Sequence, residues 1–189
     1  MQTVVQKWGN SLGIRIPALF AREFELKNGS FVDIIEDQGR LVIKNYLTGI
    51  LLRIEGNRVE YVNAAHPDML YRNAKTGKTR PVVVEGKDHK GRMLGIPSLS
   101  DGYTTVTFTM EEDNALLIYS DCLVESRNEN DEEYGMHRLL RSFSASGNGT
   151  AKEKLNVVLS DFYSFTRKVS LNDDLTAIVL QRGPLTRLI

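Results

Sequence analysis

The sequence predicts an α+β protein in two unequal parts: a small strand–helix–hairpin unit over residues 1–45 and a larger, strand-rich region over 46–189. Two observations lead there. Period-two and helical patterns follow one another in both parts, and the character of the chain changes at Tyr46 without a Gly-, Ser- or Pro-rich spacer. In the first part, residues 3–7 are enriched in β-branched side chains (Thr3, Val4, Val5) and read as a strand. Trp8, Gly9, Asn10 and Ser11 are turn chemistry, and 12–16 alternate apolar with small or charged residues as a second strand. Pro17 has no N–H to leave unpaired and suits a first helical position, so 17–26 reads as a short amphipathic helix ended by Asn28-Gly29. Residues 30–36 and 40–44 alternate across Asp37-Gln38-Gly39, which is a hairpin signal.

After Tyr46, strands are expected over 47–54, 58–64, 104–110, 115–120 and 175–181, with loops at 73–78 and 85–91. Helices are expected over 134–143 and 152–165, joined by a flexible stretch at 144–150.

Composition bounds the function classes. Of the 189 residues, 41% are hydrophobic and 25% charged, and the formal net charge is zero, so global charge selects no partner. Local charge does. Residues 1–22 hold Lys7, Arg15 and Arg22 and no acid, the footprint of a small nucleic-acid-binding module. The single cysteine, Cys122, excludes an intramolecular disulfide and suits a reducing compartment. No signal-peptide pattern and no apolar run near 18 residues are present, so a cytoplasmic protein with no membrane span is expected.

The string Lys7-Trp8-Gly9-Asn10-Ser11-Leu12-Gly13-Ile14-Arg15-Ile16-Pro17, with the element order around it, resembles the MazE/AbrB (SpoVT-AbrB) family of DNA-binding antitoxins and transition-state regulators. The resemblance covers residues 1–45. It implies a swapped-hairpin β-barrel formed by two interleaved chains, hence a homodimer, with Lys7, Asn10, Ser11 and Arg15 on the DNA surface. Physically, Lys and Arg neutralise phosphate, and a two-stranded ribbon fits a major groove. Trp8 reads instead as a packing residue.

Four later segments resemble, in order, the C-terminal portion of SpoIIE/RsbU-type serine phosphatases of the PPM group. They are Tyr61 to Pro67 (Y-V-N-A-A-H-P), Leu94-Gly95-Ile96-Pro97, Tyr119 to Glu125 (Y-S-D-C-L-V-E), and Asp173-Asp174-Leu175-Thr176. That resemblance implies a partial β-sandwich with flanking helices over 46–189. It also implies Asp121 and Asp173 as ligands of Mn²⁺ or Mg²⁺, which activate a water against phosphoserine. Two departures are visible. Cys122 stands where the family has Gly, and neither the Gly-Gly-Asp nor the Asp-Val-x-Gly-His-Gly segment occurs in residues 1–45. Two carboxylates alone do not build a binuclear centre, and a sheet short of strands exposes its edges and melts less cooperatively. His66 reads as a structural hydrogen-bonding residue and Cys122 as a small buried one, while His89 and His137 match no ligand spacing.

The leading reading is therefore a dimeric DNA-binding regulator carrying an incomplete phosphatase-like domain, with a toxin or phosphoprotein as further partner. The alternative is a metal-dependent protein-serine phosphatase active only when another chain completes its metal site. A non-catalytic interaction domain is the third reading.

Overall fold

The chain divides into two units, Met1–Asn45 and Tyr46–Ile189. The structure is a computed structural model and describes residues 5–8, 11–14, 18, 22, 33–37, 40–44, 48–84, 89–94, 102–167, 169–171 and 173–183.

In the first unit, β1 (Val5–Trp8) pairs antiparallel with β2 (Ser11–Ile14), Lys7 lying opposite Leu12. Strands β3 (Asp33–Asp37) and β4 (Arg40–Lys44) form a second antiparallel pair, closing with Asp37 opposite Arg40. Both pairs follow the alternation in the sequence. Among the described residues they stay two separate two-stranded sheets, so the expected closed barrel is not found. Of the expected helix 17–26, Ala18 and Arg22 are helical and exposed, and the rest lies outside the described residues.

The second unit begins with β5 (Gly49–Glu55) and β6 (Arg58–Ala64), a hairpin turning at Gly56, whose φ of 59° is the left-handed value such a turn requires. Strand β7 (Leu70–Arg72) pairs with β8 (Thr79–Pro81), and β9 (Lys90–Gly91) runs parallel to the end of β6. Then come β10 (Val106–Thr109), β11 (Ala115–Tyr119), the one-turn helix α1 (Cys122–Glu125), α2 (Gly135–Ala145), α3 (Ala151–Thr166) and β12 (Ala177–Gln181). The strands form two sheets, ordered β10–β6–β5 with β9 beside β6, and β12–β11–β7–β8.

Alternation along β11 explains the layering. Leu116, with Val59, Tyr61, Met69, Val82 and Val106, builds the core shared by the two sheets. Leu117 and Tyr119 face the other way and pack with Leu123, Leu139, Phe143, Val158 and Phe162 of the helices. Each fully buried Leu, Val or Phe stabilises the fold by about 1.5–3 kcal/mol. Helix α3 starts at a capping box: the Thr150 hydroxyl accepts from the Glu153 amide at 3.3 Å, and the Glu153 carboxylate accepts from the Thr150 amide at 2.7 Å.

Short elements escaped the sequence reading. Strands β7, β8 and β9 and helix α1 are two to four residues long, too short for a period to register. The stretch 144–150, expected to be flexible, is pinned: Ser146 is buried and its hydroxyl donates to the Phe143 carbonyl at 2.7 Å. Sheet edges do carry exposed apolar side chains, Leu51 and Ile54 on β5 and Ile178 on β12. Among the described residues no helix is long and apolar enough to cross a membrane.

Candidate functional site

Strand β11 ends at Tyr119 directly opposite Ala177, the first residue of β12. The loop leaving one strand and the loop entering the other must therefore meet at the same end of the sheet. Ser120 joins them. Its amide donates to the Thr176 carbonyl at 2.9 Å, its hydroxyl donates to the Asp174 carbonyl at 3.0 Å, and the Thr176 amide donates back to that hydroxyl at 3.0 Å. Asp121 follows on one loop and Asp173 lies on the other, both exposed.

Each aspartate is oriented by its own backbone. Asp121 Oδ1 accepts from the Cys122 amide at 3.0 Å as the cap of α1, and Asp173 Oδ1 accepts from the Asp174 amide at 2.8 Å. Cys122, which stands where the family has Gly, is buried, only 5% exposed. Its Sγ donates to the Asp173 carbonyl at 3.3 Å, so the thiol fastens the second loop to the first.

Two carboxylates at one sheet end suit a hard divalent cation, which takes oxygen ligands. Such a centre needs more donors. Among the described residues no group of three or more His, Cys, Asp or Glu side chains is placed to hold a metal ion. Asp121 and Asp173 are thus brought together as part of a donor set, and the described residues do not by themselves fit a metal centre.

A second polar cluster sits on the loop after β6. Asn63 is fully buried, and its amide donates to the Tyr61 hydroxyl at 2.8 Å, the His66 carbonyl at 3.0 Å and Asp68 Oδ1 at 3.3 Å. Its oxygen accepts from the His66 amide at 2.7 Å, and Ala65 is held at a φ of 54°, rare for a residue with a Cβ. His66 Nδ1 meets the Thr48 hydroxyl at 3.0 Å, the structural role expected for it. His89, which the sequence left without a role, places Nε2 3.0 Å from Asp68 Oδ1, and Lys90 Nζ lies 3.6 Å from Oδ2. Burial pushes the Tyr61 hydroxyl up to about 12, with the Asn63 hydrogen bond opposing and the Asp68 charge adding. Burial also raises Tyr119, with Asp68 the next contributor, which puts this carboxylate within electrostatic reach of the end of β11. The Asn63-to-Pro67 motif was the available signal for this cluster; the pairing of Asp68 with His89, 21 residues on, had none.

Of the residues expected at a DNA surface, only some are described. Lys7 is exposed on β1 and Ser11 opens β2, whereas Asn10 and Arg15 lie outside the described residues, as does the Gly95-Ile96-Pro97 segment.

Comparison with known proteins then places the chain. The family model described as Stage II sporulation protein E (SpoIIE) matches residues 27–183, starting inside the first unit. No curated protein sequence matches this chain. Among solved structures, the RsbU and RsbW domains of a Mycobacterium tuberculosis protein are 21% identical, with 68% of this chain and 33% of that one covered and a TM-score of 0.51. The phosphatase domain of the cell-fate determinant SpoIIE from Bacillus subtilis, presoaked with Mn, is 13% identical, with coverages of 75% and 58% and a TM-score of 0.53. The SiaA-PP2C domain of Pseudomonas aeruginosa is 11% identical, with coverages of 68% and 47% and a TM-score of 0.53. These likenesses concern the fold, a mixed arrangement of sheets and a few helices, and this chain spans from a third to about three-fifths of those chains. With most of its length matched by the family model, the chain belongs to the SpoIIE family.

Proposed function

We propose that this chain works as a SpoIIE-type protein-serine phosphatase whose residues 46–189 supply Asp121 and Asp173 to a divalent-metal site that a second chain completes. The observation that carries this reading is the Ser120–Thr176 clasp. It sets two oriented carboxylates on adjoining loops at one sheet end, within a fold shared with solved phosphatase domains. It reverses the weight given by the sequence, in which the DNA-binding module came first: the family match covers the phosphatase-like region, and the barrel is not found. Mn²⁺ or Mg²⁺ is the cofactor class that carboxylate oxygens favour, and a phosphoserine protein is the substrate class.

The test is Mn²⁺-dependent phosphate release from a phosphoserine peptide by the purified chain, across protein concentrations and against Asp121→Asn. Activity rising more steeply than protein concentration supports completion by a second chain. Equal rates for wild type and variant overturn the reading and leave a non-catalytic interaction domain.

A second function for the first unit rests on the β1–β2 ribbon, which presents Lys7 to solvent. In this reading Lys7, Asn10, Ser11 and Arg15 contact DNA, and two chains bind as a homodimer.

A further inference from the structure

The end of the second sheet away from the aspartates carries a group of cations that form no ion pair among the described residues, although Glu111, Glu112 and Asp113 precede β11 at the same end. Residues 69–84 contain Arg72, Lys75, Lys78 and Arg80 and no Asp or Glu. Lys154 of α3 packs against the same end. None of these five cations forms a salt bridge among the described residues. The register fixes the location. Arg72 and Gln181 both lie opposite Ala115 at the start of β11, whereas Asp121 follows Tyr119 at its end. Four strand residues separate the two ends by roughly 13 Å.

Two of the cations are buried, Arg72 being 3% exposed and Lys154 0%. Arg72 Nε donates to the Ser144 carbonyl at 3.3 Å and Nη1 to Asn148 Oδ1 at 3.4 Å. Its Nη2 has no hydrogen bond among the described residues and faces Gly77, where a Cβ would lie 4.0 Å away. Lys154 Nζ donates to the Gly149 carbonyl and, at 3.2 Å, to Gln181 Oε1. Gln181 Nε2 in turn donates to Asp113 Oδ1 at 3.3 Å, and the Asp113 charge also acts on Lys154. Neutral oxygens satisfy these donors without cancelling their charge, and buried charges are normally paired. Burial, then the Arg72 charge, lowers the Lys154 pKa, with the Asp113 and Glu153 charges opposing in part.

Above Arg72 the hairpin tip is held by hydrogen bonds of its own. The Asn73 amide donates to the Lys78 carbonyl at 2.9 Å, the Gly77 amide to the Asn73 carbonyl at 2.9 Å, and the Thr76 amide to Asn73 Oδ1 at 3.0 Å. Lys75 and Lys78 stand exposed on this turn, and Gly77, at a φ of 69°, leaves room beside Nη2. A guanidinium fixed through Nε and Nη1, with Nη2 unpartnered among the described residues, suits a tetrahedral oxyanion, to which lysines add point charges.

We propose that the β7–β8 turn and the α2–α3 loop form a binding site for a phosphate-sized oxyanion, with Arg72 as its fixed ligand and Lys75 and Lys78 closing over it. The site stands apart from the aspartate loops and does not depend on the phosphatase reading. The test titrates inorganic phosphate into the full chain at constant ionic strength, with chelator present so that no metal recruits the anion elsewhere. Saturable thermal stabilisation is expected that chloride does not reproduce. Affinity should fall about tenfold in Lys75→Gln/Lys78→Gln and in Arg72→Lys, which keeps charge but loses the fork. Should Arg72→Lys fail to fold, the exposed double variant decides. Displacement of phosphate by a phosphoserine peptide identifies a phosphoprotein as the source, and its failure to displace identifies the free anion. No saturable phosphate effect, or one unchanged in the double variant, overturns the proposal.

Discussion

The Ser120 hydroxyl stands between two strands: it accepts from the Thr176 amide at 3.0 Å and donates to the Asp174 carbonyl at 3.0 Å. One small side chain thus ties the loop bearing Asp173 to the loop bearing Asp121, with Cys122 Sγ as a second tie at 3.3 Å from the Asp173 carbonyl. Ser120→Ala removes the hydroxyl and leaves the Thr176 amide without that partner. A stability loss of about 1–2 kcal/mol in denaturant unfolding is expected. Mn²⁺ binding measured by calorimetry should weaken further than the stability loss alone implies. Unchanged Mn²⁺ affinity would show that the clasp does not set the carboxylates.

Asn63 is the centre of the other cluster, with three hydrogen bonds donated and one accepted while fully buried. Asn63→Ala strands the Tyr61 hydroxyl and the His66 amide and frees a loop held with Ala65 at a φ of 54°. A loss of about 3 kcal/mol is expected from chemical denaturation. A loss below 1 kcal/mol, as for ordinary surface changes, would mean that the loop holds itself.

How much of this was legible in the sequence depended on length and locality. Strands β6 and β11 and helix α3 were readable because seven, five and sixteen residues hold a clear period. Asp121 and Asp173 were found through their motifs, yet the ties between their loops were not, because Ser120 and Cys122 make them to residues 51 to 56 positions away. Cys122, expected to be a small buried residue, is buried, and the short helix α1 turns its thiol toward the Asp173 carbonyl, a contact no local pattern announces. The loop expected at 73–78 is the turn of the β7–β8 hairpin, whose three-residue strands are too short to show a period. The barrel expectation came from a motif around Trp8 and Gly9, and a two-stranded ribbon satisfies that local pattern without closing.

Tyr61 sets an alkaline limit. Its hydroxyl is raised from 10.0 to about 12, so the folded state keeps a proton that the unfolded chain releases first. That contribution is complete below pH 10 and is lost as pH rises to about 12, amounting to about 3 kcal/mol. Tyr61→Phe should remove one proton from the slope of stability against pH in this window. Parallel curves for the two proteins would contradict the assignment.

The first unit is tested through Arg15, which the sequence placed between Ile14 and Ile16 on the face away from the core. If that unit binds DNA, Arg15→Ala should weaken operator affinity by about 1–3 kcal/mol at fixed salt. An unchanged Kd would remove Arg15 from the contact surface.

The most direct measurement is Mn²⁺-dependent hydrolysis of a phosphoserine peptide by wild type, Asp121→Asn and Asp173→Asn. Both aspartates are exposed, so the substitutions should change stability by less than about 0.5 kcal/mol and any lost activity reflects the site itself. The expected result is metal-dependent turnover in the wild type, steeper than linear in protein concentration, and none above background in either variant. Turnover that is absent from all three proteins, or equal in all three, would contradict a phosphatase centre built on Asp121 and Asp173.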